Sequence, residues 1–393
     1  MRFTGVASRG IITPIFKEGD DLISLTADSV LKAAKSESFE INDRDIIGVT
    51  EAVVARTQGN YATCEQISKD IKNKFQSDDI GIVFPILSRN RFSLLLKAIE
   101  NACNKLYIQL SYPADEVGNA LITLDQMDEM GVNPYTDSFT EEEFRKLFKD
   151  TVHVFTNIDY IEHYKNMGKN IEIIFSNNPA HILKYTKNIL VCDVHCRFRT
   201  ERLIRKAGVD KLYRLDQILT QSVDGSGYNE KYGVLGSNKA SEENVKLFPR
   251  DGQAFVEGLQ KKMLELTGKN VEVLIYGDGC FKDPVGGIWE LADPVAAPAY
   301  TSGLEGTPNE IKMKYFADKD YKDLKGEELE NALKALIVNQ DHEDADDSKK
   351  QGTTPRRLTD LLASLCDLTS GSGDKGTPVV LIQGYFSNFA SKK

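Results

Sequence analysis

The chain has 393 residues and a formal net charge of −10, with 41% hydrophobic and 27% charged residues. A length beyond the growth limit of a single hydrophobic core predicts two domains or one elaborated domain. The negative charge argues against a general binder of nucleic-acid backbones, and the sequence contains neither an apolar run of roughly 20 residues nor a signal-peptide pattern, so we expect no membrane span and a cytoplasmic location.

The first eighty residues begin with "GIITPIFKEGDDLISLTADSVLKAA", which predicts a strand, a turn and an amphipathic helix. Asp20 and Asp21 precede that helix, and we interpret them as N-capping residues. The next segment, "DIIGVTEAVVARTQGN", predicts a buried strand that runs into a Gly-Asn turn, with Glu51 and Arg56 on the strand. An arginine at that place could contact a phosphate or form an ordinary surface ion pair.

From about residue 79 to 221 the pattern alternates between strands and helices. Strands are predicted at 80–87, 105–112, 151–157, 170–177 and 187–195, and helices include 91–102 and 141–150. This alternation favours a largely parallel sheet covered on both faces. We therefore predict that 81–221 is an inserted α/β domain of unknown role. Within it, "LSRNRFS" (87–93) and "QLSYPADEVGN" (109–119) are distinctive and are expected to shape a substrate pocket.

The C-terminal part begins with a loop-rich segment, 223–243, followed by a predicted helix over "DGQAFVEGLQKKMLELTGK". A buried strand, 271–276, leads into "GDG". Further helices are predicted at 326–338 and 354–371, before a glycine-rich turn and a last buried strand, 379–386. The acidic run 341–350 is interpreted as a solvated loop.

Asp278 has glycine on both sides and follows a buried strand. A backbone without side chains can approach a ligand closely, and a carboxylate can hold a hard cation through oxygen. The alternative is a tight turn with a capping aspartate. Asp283, Glu290 and Asp293 follow in the same segment, either as further oxygen ligands or as turn formers.

A second group of possible ligands, Cys192, Asp193, His195 and Cys196, does not match a recognised zinc pattern, because the C-x3-C spacing has no second pair elsewhere. The six cysteines are sparse and irregularly spaced, which fits reduced thiols better than a disulfide framework. The chain contains no G-x-S-x-G, Walker-type or H-E-x-x-H motif. The standard hydrolase, P-loop and metalloprotease classes therefore lose support.

Several segments, taken in order, resemble the coenzyme F(420)-0:gamma-glutamyl ligase family: "ITPIFKEGDDL", "DIIGVTEAVVARTQGN", "VLGSNKAS", "DGQAFVEGLQKKMLELTGKNVEVLIYGDG", "DKDYKDLKGEEL" and "TDLLASLCDLTSGSGDKGTPVVLIQG". The resemblance covers 1–80 and 222–393. It implies an α+β, or mixed α/β, ligase core with mixed sheets and flanking helices, interrupted by the inserted domain. It also implies a homodimer.

The activity that the resemblance implies is amide formation. GTP (or ATP), with Mg²⁺ or Mn²⁺, would phosphorylate a small-molecule carboxylate acceptor, and L-glutamate or another amino acid would attack the acyl phosphate. Such phosphoryl transfer needs metal charge and positioning rather than a protein nucleophile. The acceptor need not be the deazaflavin coenzyme, and the partners expected are small molecules rather than nucleic acids or membranes.

The same resemblance assigns site residues by position. The nucleotide-binding set that it implies is Ile12, Thr13, Pro14, Ile15, Glu51, Arg56, Ser241, Gly326 and Glu328. Asp278 matches a metal-binding and catalytic aspartate, and Arg56 stands where the family has a lysine near the nucleotide. Asn238 replaces the family's first metal-binding aspartate, and this exchange removes a charge that would help to hold a second cation.

Two other functions remain open from the sequence. The exchange at Asn238 is compatible with a nucleotide-binding protein that has no ligase turnover and uses the insert as a partner or effector module. A hydrolase or kinase could use the same phosphate cradle with water or an alcohol as the acceptor, and it would release phosphate without glutamate.

Overall fold

A computed structural model describes residues 4–279, 281–308, 311–339, 356–371 and 373–391; the acidic run 341–350 lies outside the described residues. The strands are β1 (Ala7–Ile11), β2 (Ile46–Thr50), β3 (Tyr61–Thr63), β4 (Asp79–Val83), β5 (Lys105–Leu110), β6 (Ser138–Thr140), β7 (Ile171–Ser176), β8 (Asn188–Val191), β9 (Lys211–Arg214), β10 (Asn238–Lys239), β11 (Asn244–Lys246), β12 (Glu272–Tyr276), β13 (Ala299–Tyr300) and β14 (Val379–Gln383). The α-helices are α1 (Leu22–Glu37), α2 (Glu51–Thr57), α3 (Cys64–Phe75), α4 (Ser93–Glu100), α5 (Leu124–Glu129), α6 (Glu141–Leu147), α7 (Tyr160–Lys165), α8 (Arg197–Lys206), α9 (Gly252–Thr267), α10 (Met313–Asp318), α11 (Gly326–Val338) and α12 (Leu358–Ser370). These mixed sheets and flanking helices confirm the predicted α+β, or mixed α/β, fold class.

The first sheet has the order β1-β14-β2-β12-β13, in which β2 and β12 are parallel and the other pairs are antiparallel. Its central strands are buried on both faces, as their continuous apolar sequences require. Helices α1 and α9 cover one face, and α12 covers the other. Close packing of α12 explains Gly48, because a Cβ there would lie 2.4 Å from Cys366 Sγ.

The second large sheet lies in the predicted insert and has the order β6-β7-β5-β4-β8-β9. All its neighbouring strands are parallel except the β6–β7 pair. The chain proceeds from β4 through β5 to β7 on one side and then returns to β8 and β9 on the other. The order therefore reverses between β4 and β8, and ligands of such sheets bind outside the carboxyl ends of the strands at this point.

Packing around the insert extends past the predicted boundaries. Ile67 and Ile71 of α3, and Val245 and Leu247 near β11, belong to the same hydrophobic cluster as the six-stranded sheet. A small third sheet, β10-β11-β3, lies beside this cluster. The segments before and after the insert are therefore bound to it by a shared core rather than by loose linkers.

Two local predictions were wrong. Glu51 and Arg56 lie on helix α2, which begins directly after β2, and not on a strand. Residues 151–157 form turns with one isolated bridge instead of a strand. Thr151 and His153 are buried and Val152 is exposed, so burial alternates along these residues as it does in a strand. Val154 and Phe155, however, pack against the 283–288 turn and not beside another strand. None of the described helices is both long and apolar enough to cross a membrane.

Candidate active site

The predicted motifs meet at one edge of the first sheet because of its strand register. Thr50 at the end of β2 pairs with Tyr276 at the end of the parallel strand β12, so Glu51 and Gly277 leave the sheet side by side. The antiparallel strand β14 begins at this edge, where Pro378 O accepts the Thr50 N–H. Strand β1 ends opposite the start of β14. The segments after β1, β2 and β12 and the turn before β14 therefore converge.

A cluster of carboxylates forms the centre of this edge. Asp278, Asp293, Glu51, Glu290 and Asp367 all line one cavity of 830 Å³. Asp293 Oδ2 accepts the Asp278 N–H at 2.7 Å, and Asp367 Oδ2 accepts the Gly279 N–H at 2.9 Å. Asp283, by contrast, accepts three backbone N–H groups within its own turn, so it is a turn former.

The glycines beside Asp278 leave room for these carboxylates. A Cβ on Gly277 would lie 2.2 Å from Asp293 Oδ2, and a Cβ on Gly279 would lie 2.8 Å from Asp367 Oδ2. Neither glycine has a positive φ. The bare backbone of "GDG" is therefore required by the close approach of acidic side chains and not by an unusual backbone conformation.

The cluster contains a cation from the predicted insert, 81–221. Arg91 Nη2 lies 2.5 Å from Asp278 Oδ2, and Arg91 Nη1 lies 2.5 Å from Asp293 Oδ1. Burial alone would lower the pKa of the Arg91 guanidinium, but the two aspartates raise it. Burial and then Asp293 raise the pKa of Asp278, against the opposite effect of Arg91. The guanidinium and both carboxylates form a buried, charge-assisted bridge.

Glu51 is the least satisfied acid in the cluster. Its side chain is 5% exposed, its Oε1 atom lies 3.5 Å from Lys246 Nζ, and its Oε2 atom has no hydrogen-bond partner. Burial raises the pKa of Glu51, while Lys246 acts in the opposite direction. An orphaned, buried carboxylate oxygen beside other acids is the donor that a hard divalent cation binds. Glu51 and the neighbouring aspartates therefore supply the kind of oxygen donor that Mg²⁺ or Mn²⁺ prefers. Within the described residues, however, three possible ligand atoms come within 4.8 Å of one another at Glu116, Asp193 and Cys196 and not in this cluster.

A second cavity, of 480 Å³, adjoins the first and has a basic wall. Thr13, Pro14 and Ile15 line it together with Arg56 and the glycine-rich turn at 373–376. Lys246 and Lys239 line both cavities. Arg56 is exposed and makes no ion pair within the described residues. A cation such as Arg56, next to a glycine-rich turn, can hold phosphate oxygens, so this cavity fits a nucleotide's phosphates.

The family of the chain follows from a match to the family described as F420-0:Gamma-glutamyl ligase, over residues 10–384. The chain belongs to this family. The matched range includes the central segment, 81–221, as well as the two flanking segments on which the sequence resemblance rested. No curated protein matches the chain.

In this member of the F420-0:gamma-glutamyl ligase family, the predicted insert, 81–221, contributes residues to the cavity that contains the carboxylates. Residues 86–91, which follow β4, and Val117 and Asn119, which follow β5, line the same 830 Å³ cavity as the carboxylates. His153, Thr156 and Tyr160 complete this wall. The carboxyl ends of the insert's parallel strands thus open onto the same cavity, as the reversal of strand order leads one to expect. Both distinctive segments, 87–93 and 109–119, contribute to it.

The predicted residues of the gamma-glutamyl ligase site divide into two groups. Asn238 and Ser241 line the same cavity as Asp278, and Ser241 Oγ accepts the Asn244 N–H at 3.2 Å. Gly326 and Glu328 are exposed at the start of α11 and line neither cavity; Ile12 is 80% exposed and is likewise not a lining residue.

Sequence reasoning missed Arg91 and Lys246. Lys246 lies outside the segments that were assigned roles. Arg91 lies within "LSRNRFS", which was expected to shape a substrate pocket, but it was not itself singled out. Their importance depends on contacts between residues far apart in the chain, such as Arg91 with Asp278 and Lys246 with Glu51. A contact between a cation and a carboxylate that lie far apart in the chain leaves no local pattern.

Proposed function

We propose that the protein is a nucleotide- and divalent-metal-dependent amide ligase that adds L-glutamate, or another amino acid, to a carboxylate substrate through an acyl phosphate. One observation carries the proposal: a cluster of acids with an orphaned Glu51 oxygen lines the same cavity as polar residues of the predicted insert, and this cavity adjoins a basic, glycine-rich one. Acids, cations and polar groups in adjoining cavities suit a divalent ion, a nucleotide and an acceptor.

The basic cavity is the nucleotide side. Arg56 and Lys246 provide positive charge for phosphate oxygens, and the 373–376 turn leaves the backbone accessible. Thr13, Pro14 and Ile15 line the same cavity. A divalent ion held at the carboxylates would neutralise charge on the transferred phosphoryl group. Asp278 and Glu51 hold that charge in place, and Gly277 and Gly279 allow the acids to lie close together.

The insert side is the acceptor side. Ser88, Arg89 and Asn90 follow β4 and present polar groups to the cavity. Arg89 is exposed and makes no ion pair within the described part of the chain, so its guanidinium is free to bind a carboxylate. Trp289, 41% exposed, lies on the cavity wall and supplies an apolar surface. The acceptor is therefore an organic acid with an apolar or planar part.

The activity is tested by measuring nucleoside diphosphate release with GTP or ATP, Mg²⁺ or Mn²⁺, L-glutamate and a panel of carboxylic acids. The proposal requires release that depends on both an acid and an amino acid. Asp278→Asn should abolish it, whereas Asp320→Asn, at an exposed surface carboxylate, should not. Absence of release over the whole panel, or full activity of Asp278→Asn, would contradict the proposal.

A second function is favoured by one observation. Arg91 already binds Asp278 and Asp293, and Asn238 brings no charge to the cavity. The same architecture could therefore bind a nucleotide without turnover, with the insert as a partner or effector module. Tight binding of GTP or GDP by calorimetry, with no phosphate release at saturating Mn²⁺, would favour this function. Phosphate release without any amino acid would instead indicate a hydrolase or kinase.

A further inference from the structure

Arg91 differs from a surface arginine because two core carboxylates enclose its guanidinium. Its side chain is 17% exposed, and the carboxylates of Asp278 and Asp293 are 13% and 3% exposed. Each terminal nitrogen contacts a different carboxylate at 2.5 Å. The guanidinium thus bridges two acids, as a metal ion does, but it belongs to the protein and cannot dissociate.

The position of Arg91 is fixed by buried contacts in its own loop. Asp115 Oδ2 accepts the Leu87 N–H at 2.8 Å. The Tyr164 hydroxyl accepts the Ser88 N–H at 3.1 Å and donates to Ile86 O at 2.9 Å. Tyr164 is fully buried. A loop held by buried groups on both sides presents a preorganised cation rather than a mobile surface side chain.

The Asn90 carbonyl ties the same loop to the core, because it accepts the Lys239 N–H at 2.7 Å. Lys239 follows Asn238, so the Arg91 loop and the Asn238 strand are hydrogen-bonded at the cavity. The guanidinium is thereby held against the core carboxylates from two directions.

Negative charge remains after Arg91 is counted. Seven carboxylates, among them those of Asp278, Asp293 and Glu51, line the cavity with four cations, among them Arg91 and Lys246. Of these acids, Glu51 retains a buried oxygen with no partner. One divalent ion would offset most of the remaining negative charge.

We propose that Arg91 is a built-in cation that competes with divalent ions for Asp278 and Asp293, so that the cluster binds a single divalent ion, with Glu51 as its free ligand. This inference rests on the metal dependence in the proposed function. The ligand class is a hard divalent cation, and Arg91 sets how many ions bind and how tightly.

The test is Mn²⁺ titration of the full chain, without nucleotide, with free Mn²⁺ measured by electron paramagnetic resonance. The wild type should bind one ion. Arg91→Gln should bind a second ion, or bind the first at least tenfold tighter, because a fixed positive charge has been removed beside the carboxylates. Arg91→Lys keeps the charge and should stay close to the wild type.

Arg214→Gln is the matched control. Arg214 is also an arginine of the insert, is 15% exposed and pairs with two carboxylates, Glu201 and Asp216, but it lies outside the cavity. Its replacement should leave Mn²⁺ binding unchanged. Thermal unfolding gives a second readout, since Mn²⁺ should raise the melting temperature of Arg91→Gln more than that of the wild type.

The outcomes separate the two proposals. Two ions in the wild type, or identical binding by wild type and folded Arg91→Gln, would overturn the role of Arg91 and leave the ligase proposal standing. If Arg91→Gln does not fold, the wild-type stoichiometry decides: one ion supports the inference and two overturn it. No Mn²⁺ binding by any variant would overturn both this inference and the metal dependence.

Discussion

Gly277→Ala tests whether the bare backbone beside Asp278 is required by the neighbouring acid. The new Cβ would lie 2.2 Å from Asp293 Oδ2, a distance that no stable contact allows. Asp293 would have to move, although it is 4% exposed and is held by the Asp278 N–H at 2.7 Å and by Arg91 at 2.5 Å. Overpacking costs about 1–3 kcal/mol, and a weakened hydrogen bond to a charged group adds about 1.5 kcal/mol.

We therefore expect Gly277→Ala to lower the free energy of unfolding by about 3 kcal/mol and to abolish ligase activity. Gly277 has no positive φ, so backbone strain does not contribute. The assay is urea unfolding followed by circular dichroism and by the fluorescence of Trp289, the single tryptophan, which lies on the cavity wall. Gly5→Ala is the control, since its Cβ would meet nothing within 4 Å. Equal urea midpoints for the two variants would mean that the new Cβ is accommodated without displacing Asp293.

Three further predictions concern the nucleotide, the metal and pH. Arg56→Gln should weaken GTP binding about tenfold in calorimetry, because it removes a free cation from the basic cavity; unchanged binding would place the phosphates elsewhere. Asn238→Asp should tighten Mn²⁺ binding about tenfold in spin-resonance titrations by adding a carboxylate to the cavity, and weaker binding would contradict this. Burial raises the pKa of Asp115 from 3.8 to about 6, so its contribution to stability is fully present below pH 4 and is lost as pH rises through 6. The stability of the wild type relative to Asp115→Asn should therefore fall by up to about 3 kcal/mol from pH 4 to 7 in urea unfolding, and a constant difference would rule out the shift.

Local pattern was enough to predict the elements whose own sequence decides their structure. The helix at 326–338 and the strands that begin at Ile171 and Val379 have clear periodicity or apolar runs, and the structure contains them. The order of the family-like motifs along the chain also led to the correct family. In these cases the residues that determine the structure lie within about a dozen positions of one another.

The wrong predictions fall where contacts between distant residues determine the secondary structure. Val53 and Val54 made 51–57 look like a continuation of the strand, but Glu51 begins a helix at the end of a buried parallel strand, where an acid in the first turn is favourable. Residues 151–157 alternate like a strand without a neighbouring strand to pair with.

The candidate site was predictable only in its parts. The sequence predicted Asp278 as an acid on bare backbone, but the convergence of Asp278 with Glu51 depends on the pairing of Tyr276 with Thr50. The bridge from Arg91 to Asp278 joins residues 187 positions apart. The register of the strands and the contacts between distant segments depend on the whole fold, so they cannot be read from a local stretch of sequence.

The proposed function requires that the carboxylates of Glu51 and Asp278 and the basic cavity at Arg56 form one nucleotide–metal site. Anomalous diffraction from crystals soaked with Mn²⁺ and GTP would locate both ligands. We expect Mn²⁺ density beside Glu51 and Asp278, with the triphosphate extending towards Arg56. Mn²⁺ and nucleotide density away from this cavity would contradict it.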